Sequence, residues 1–187
     1  VATNNSWGGG LFSQALQDAI ERSNQANIVF VAAAGNETVN TDVTASYPSC
    51  YPNANVIAVA SITSTGTLSS FSNYGSWVDV AAPGENILST TMNSTYGTMS
   101  GTSMAAPFVS GLAGLLWSTG YGTSNSSVRS RLESTADRIT GTGSRWANGR
   151  INACKAVGGQ CDQPANGPTV SIASPANGVL VTDVSAA

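Results

Sequence analysis

Gly101-Thr102-Ser103-Met104-Ala105-Ala106-Pro107 sets a serine on a glycine hinge directly ahead of an apolar run, Phe108 to Trp117. Gly101 permits a tight turn, Thr102 and Ser103 are good helix-start residues, and the run that follows predicts a buried helix. At a helix start the hydroxyl meets solvent beside backbone N–H groups that have no intrahelical partner, a setting able to hold an oxyanion. The residues alone leave two readings of Ser103 open. It is an N-cap, worth ~1 kcal/mol of helix stability, or it is a nucleophile. Gly111 and Gly114, each ~1 kcal/mol worse than alanine in an exposed helix, predict close backbone packing along that helix.

Upstream, Ile28 to Ala34 is a continuous apolar run without alternation, and Val56 to Ile62 repeats it. Strands covered on both faces of a parallel sheet read this way. Val1 to Asn5 reads as the tail of a strand that Gly8-Gly9-Gly10 ends. Phe12, Ala15, Leu16, Ala19 and Ile20 then line one side of an amphipathic helix, with Gln14, Gln17, Asp18, Glu21 and Arg22 opposite. Strand, helix and buried strand in this order predict a layered α/β fold. A polar loop, Glu37 to Asn55, carries Tyr47-Pro48 and Tyr51-Pro52 as turn chemistry. A third strand is expected over Trp77 to Ala81, closed by Pro83-Gly84, and a hairpin over Ile87 to Met99. Ser124 or Asn125 caps a further helix with Val128, Leu132, Ala136 and Ile139 inward. Arg129, Arg131, Glu133 and Asp137 fall on its solvated face and are assigned no chemistry. Arg150 to Val157 reads as a last short helix.

Composition narrows the function. The chain has 187 residues, 41% hydrophobic and 20 of them glycine, enough for one moderate domain that buries roughly two thirds of its unfolded surface. Only 9% of residues are charged, Lys155 is the sole lysine and the formal net charge is −3, so nothing here neutralises a run of phosphates and nucleic acid is excluded as a partner. No apolar run reaches the ~18 residues of a membrane span. The chain opens Val1-Ala2-Thr3, without an initiator methionine or signal peptide, and is read as beginning inside a domain. Three cysteines are too few for a disulfide scaffold; Cys154 and Cys161 are close enough in sequence to pair, which leaves Cys50 over. Without histidine they do not form a zinc pattern. The polar, lysine-poor character favours an extracellular setting over a reducing one.

Two further stretches decide between the readings of Ser103. They are Val29-Phe30-Val31-Ala32-Ala33-Ala34-Gly35-Asn36-Glu37 and Asn5-Ser6-Trp7-Gly8-Gly9. Together with the serine stretch they resemble the subtilisin-like serine proteases, within them the thermitase-like branch. Tyr47-Pro48, Val56-Ile57-Ala58-Val59-Ala60-Ser61, Asp79-Val80-Ala81-Ala82-Pro83-Gly84 and Gly149-Arg150-Ile151-Asn152-Ala153 extend the match to about Val157. The resemblance implies a three-layer α/β fold, a mostly parallel sheet flanked by helices, here incomplete at its amino-terminal side.

The resemblance also implies roles. Ser103 is the nucleophile; the Asn36 side-chain amide and the Ser103 backbone N–H are the oxyanion donors. Ser6, Trp7 and Gly8 form the extended segment on which a peptide substrate pairs. Ala32, Ala33, Ala34 and Gly35, with Thr102, surround the side chain on the acyl side of the scissile bond, and the small alanines leave room for a large apolar residue. Trp7 departs from the leucine usual in the family and reshapes the pockets on both sides; Phe108 stands where histidine is common and is read as a packing change. The family's aspartate and histidine of the triad precede the Asn-Ser-x-Gly-Gly stretch. This chain contains no histidine, so the resemblance implies a serine endopeptidase, acting on polypeptides, whose amino-terminal half is absent and which is inactive as it stands.

A nucleophile elbow of an α/β-hydrolase is excluded, because it needs an aspartate and then a histidine after the serine. A non-catalytic binding or surface protein on the protease scaffold is the alternative. No cofactor is required. Some relatives carry a weak cation site corresponding to Asp79 and the loop carbonyls near Ser49 and Tyr51, an oxygen set that suits structural Ca²⁺ or Na⁺; taken alone, Asp79 reads first as a strand-end turn aspartate. Residues 1–158 are assigned to the peptidase domain and 159–168, rich in Pro, Asn and Gly, to a linker. Residues 169–187 read as the truncated start of an immunoglobulin-like β-sandwich module. Absence of the amino-terminal half predicts exposed apolar surface near Val29, Val31 and the serine helix.

Overall fold

A computed structural model describes residues 1–159. The chain runs β1 (Ala2–Asn5), α1 (Gln14–Gln25), β2 (Val29–Ala33), β3 (Val56–Ile62), β4 (Val80–Pro83), then a hairpin of β5 (Ile87–Thr91) and β6 (Thr95–Met99). It continues through α2 (Thr102–Ser118), α3 (Asn125–Ser134), β7 (Gly149–Arg150) and α4 (Ala153–Ala156). Five strands form one sheet in the order β1-β2-β3-β4-β7, every neighbouring pair parallel. Phe30 sits opposite Val56 and Val59 opposite Val80.

The unalternating runs are apolar throughout because the sheet is covered on both faces. Side chains alternate across a strand. Val29, Val31, Ile57, Val59 and Val80 therefore meet Ala106, Val109, Leu112, Ala113 and Leu116 of α2, joined by Val128 and Leu132 of α3. The opposite parity, Phe30, Ala32 and Val56, packs on Ile20 of α1 with Tyr51. A further cluster, Ala34, Ala60, Ile62, Val78 and Ala81, closes around Trp146. The result is helix, sheet, helix. Each fully buried Val, Leu or Ile contributes about 1.5–3 kcal/mol, so the α2 seam holds the layers together.

Caps set the helix starts. Ser13 caps α1, and Ser124 and Ser127 exchange hydrogen bonds in a capping box on α3. Gly84 decides the β4 to α2 connection: a Cβ there would lie 2.7 Å from the Gly101 carbonyl, and Gly101 N–H donates to Gly84 O at 2.8 Å.

Several expectations are corrected. The fourth strand begins at Val80, because residues 75–78 make a turn (Val78 N–H to Gly75 O, 3.1 Å) that Asp42 pins through Ser76. The third helix stops at Ser134, short of Ile139, since Asp137 pairs by backbone with Arg150. Gly149–Arg150 instead pairs in parallel with Val80 and Ala81 as the last strand of the sheet, and the last helix waits for its Asn152 cap. Gly111 and Gly114 have open space where a Cβ would be, on the outer side of α2. Val29 and Val31 are fully buried under α2, and the exposed apolar side chains near them are Val1, bonded to Val29 through the backbone, and Phe108 and Leu115 on α2.

The charges on α3 and beyond are not a solvated face. Arg131 donates to the Ala156 and Lys155 carbonyls and lies 4.2 Å over the Tyr121 ring. Asp137 takes hydrogen bonds from Arg150, Asn152 and Lys155. Burial alone would raise its carboxyl; those three donors outweigh it and hold the group at about 2. Cys50 is free and buried, and Cys154 is disulfide-bonded. Cys161, the linker beyond Gly159 and the expected sandwich strand lie outside the described residues.

Candidate active site

Ser103 occupies the first turn of α2, where its N–H has no acceptor within the helix. Its hydroxyl donates to the Ser6 carbonyl at 3.2 Å, and the Ser6 hydroxyl donates back to the Ser103 carbonyl at 2.8 Å. Pro107 accounts for the second bond. Four residues on from Ser103, it lacks the N–H that would have closed the helical hydrogen bond, so the Ser103 carbonyl is left for Ser6.

Asn36 follows the end of β2 and Gly35. Its side-chain oxygen accepts from both the backbone N–H of Thr102 (2.9 Å) and the Thr102 hydroxyl (3.0 Å). With the carbonyl end of the amide held twice, its two N–H donors remain available. Thr102 is fully buried, and its hydroxyl oxygen also accepts from Gly35 N–H at 3.1 Å. Gly35 has φ +107°, and a Cβ there would fall 2.2 Å from the Asn73 side chain. The turn therefore demands glycine twice over, by backbone angle and by space.

Asn73 was not singled out from the sequence. It is fully buried, accepts from Glu37 and Val39 N–H (3.0 Å each), and donates to the Ala34 carbonyl (2.9 Å) and the Glu37 carboxylate (2.7 Å). Asn73-Tyr74-Gly75 has the look of any surface turn, and no local signal marks an asparagine that reaches across to another loop.

Trp7, Gly8, Ala33, Gly35, Asn36, Glu37, Thr102 and Ser103 line a hollow of about 90 Å³. Of the three alanines only Ala33 lines it. Ala32 and Ala34 have the opposite strand parity and point into the core clusters of α1 and Trp146. Ser6 reaches the site through its carbonyl. A second, apolar hollow of about 330 Å³ adjoins Ser103 between Ile87, Leu88, Met104 and Phe108.

Asp79 lines neither hollow at Ser103 and is already engaged. One carboxylate oxygen accepts from Arg129 at 2.5 Å, the other from Ala58 N–H at 2.7 Å. Burial raises its carboxyl to about 6, against the pull of Arg129 and the Ala58 amide, with Glu133 adding to the rise. Among the described residues no group of three or more His, Cys, Asp or Glu is arranged to hold a metal, and no helix is long and apolar enough to cross a membrane.

Comparison with known proteins bears on the family and the fold. Thermitase of Thermoactinomyces vulgaris is 51% identical over 152 residues, covering 81% of this chain and 52% of that protein. A thermophilic serine proteinase of a Bacillus species is 48% identical over 142 residues, 76% of this chain and 34% of its own length. Among solved structures, a protease of Pseudoalteromonas arctica superposes with a TM-score of 0.77 at 34% identity, covering 84% of this chain and 50% of that one. A cold-adapted subtilisin-like serine proteinase gives 0.68 at 35%, over 81% and 52%. This chain thus spans about half the length, or less, of the relatives it matches. A sequence profile of the subtilase family aligns with residues 2–162, nearly everything the structure describes, and the chain belongs to that family.

Proposed function

We propose that this chain carries the nucleophile and oxyanion half of a subtilisin-like serine endopeptidase. The single observation that carries the reading is the clasp between Thr102 and Asn36, which brings the amide of residue 36 beside the first turn that bears Ser103. In this reading Ser103 Oγ attacks the carbonyl carbon of a peptide bond, and the oxygen's developing charge meets the Asn36 amide and the Ser103 N–H. Collapse expels the amine and leaves an ester on Ser103, which water then hydrolyses. The substrate strand pairs along Ser6, Trp7 and Gly8, and its acyl-side residue enters the hollow lined by Ala33 and Gly35.

The proton acceptor comes from outside this sequence, which has no histidine. On this reading the residues that supply it cover the apolar hollow beside Ser103 and the exposed side of Phe108. Ser103 Oγ meanwhile rests on the Ser6 carbonyl. The sparse charge and the disulfide at Cys154 support an extracellular setting.

The test has two arms. The 187-residue chain alone is expected to leave a chromogenic peptide intact, and turnover that Ser103→Ala abolishes would refute that. A chimera placing the amino-terminal part of thermitase ahead of Val1 is expected to hydrolyse the peptide. Ser103→Ala should abolish its turnover and Asn36→Ala should lower kcat with little change in KM. A folded chimera without activity, or one indifferent to both substitutions, points to a non-catalytic binding role.

A further inference from the structure

The fully buried side-chain amide of Asn73 spends all of its hydrogen-bonding capacity on one turn. Its oxygen accepts from the amides of Glu37 and Val39, at 3.0 Å each, while its nitrogen donates to the Ala34 carbonyl at 2.9 Å and to the Glu37 carboxylate at 2.7 Å. The Asn73 backbone N–H adds a bond to the Gly35 carbonyl at 3.0 Å. These contacts fall on residues 34, 35, 37 and 39, so they bracket Asn36 from both sides. Asn73 is in turn tied to the sheet. The buried Ser72 hydroxyl donates to the Asn73 carbonyl and accepts from Ser61 N–H of β3, both at 3.0 Å.

A turn entered through a glycine at φ +107° does not fix its own direction. Thr102 holds the side-chain oxygen of Asn36 from the α2 side. The main chain that carries that side chain is held by Asn73. An oxyanion donor is effective when it is aimed before the charge develops, and a misplacement of about 1 Å costs on the order of 100-fold in rate. We infer, on the reading of Asn36 as an oxyanion donor, that Asn73 is a positioning residue of the reaction. It sets the aim of the Asn36 amide from behind the turn, off the wall of the hollow that Ser103 shares. Without it the Glu37 and Val39 amides and the Ala34 carbonyl lose buried partners together, and the glycine hinge is free to swing.

The thermitase chimera tests this, with kcat counted per Ser103 titrated by a fluorophosphonate, so that loss of folded protein does not enter. Asn73→Ala is expected to lower kcat about 10- to 100-fold while KM changes by less than about threefold. In an Asn36→Ala background the same substitution should cost less than about twofold more, because the group it aims is gone. A parent-like Asn73→Ala beside an impaired Asn36→Ala would overturn this inference alone, and so would equal losses in the two backgrounds. An Asn36→Ala chimera as active as its parent would overturn the oxyanion reading and this inference together. Hydrogen exchange in the unsubstituted 187-residue chain needs no activity. If Asn36 leans on Asn73, the Thr102 amide held by Asn36 should exchange at least as fast as the Glu37 and Val39 amides held by Asn73. A Thr102 amide that stays protected while those two open would overturn the inference. Asn73→Ser takes the place of an Asn73→Ala that does not fold, and the exchange comparison decides without either.

Discussion

Ser6 and Ser103, 97 positions apart in sequence, hold each other reciprocally: each hydroxyl donates to the other's backbone carbonyl, at 2.8 and 3.2 Å. The pair joins the end of β1 to the first turn of α2 at the point where the candidate nucleophile sits. It exists because Pro107 withholds the amide that would otherwise occupy the Ser103 carbonyl.

Ser6→Ala is expected to lower stability by about 1 kcal/mol, the net worth of one hydrogen bond, and Tm by roughly 2–4 °C. Restoring a helical amide with Pro107→Ala should recover part of that loss. The double-mutant cycle therefore has a coupling energy different from zero, and urea midpoints that are simply additive would count against the explanation.

Thr102→Val keeps the shape of the buried side chain and removes its hydroxyl. Gly35 N–H then loses its acceptor and Asn36 loses one of two anchors. The expected cost is about 1–3 kcal/mol, read as a lower urea midpoint at unchanged m-value. In the chimera described above the same substitution should lower kcat more than it changes KM.

Gly35→Ala is expected to be the more damaging change of the two. The added methyl collides with the Asn73 amide and the Glu37 carboxylate, at a backbone angle that alanine resists. Expression as an insoluble or non-cooperatively melting protein is the expected result. An alanine variant as stable as the parent would show that the turn yields.

Acid should destabilise the chain through Asp137. Its carboxyl is held at about 2 in the folded protein against an ordinary 3.8, so between those values the unfolded chain binds more protons. The stability it contributes is complete above about pH 4 and is lost as pH falls toward 2. Urea midpoints of the wild type should decline across that window, and Asp137→Asn should flatten this part of the decline. Arg150 and Lys155 are 42% and 46% exposed, so added salt should shrink the difference.

Sequence reading was strongest where the physics is local. The apolar runs at 28–34 and 56–62 announced strands covered on both faces. The one-sided spacing from Phe12 to Ile20 announced α1, and the glycine, threonine and serine at 101–103 announced a helix start, although the Ser103 hydroxyl there is half-buried and bonded to Ser6. Boundaries failed where a distant partner intervened. Arg150 ends the reach of α3 by pairing with Asp137, and with Gly149 it pairs along β4, which turns part of an expected helix into a strand.

By itself the sequence determined the layered α/β architecture and most of its elements, because periodicity and capping act between residues a few positions apart, while the family was legible through the resemblance of its motifs. Only the tertiary structure decided that Ala33, and not its two neighbours, faces the hollow, since strand parity has meaning only once a sheet has two covered sides. The same holds for Asn73 gripping the Asn36 turn and for Arg129 reaching from an apparently solvated face to Asp79. A long polar side chain is committed by whatever the fold sets within its reach, and that is fixed by contacts dozens of residues away in the chain.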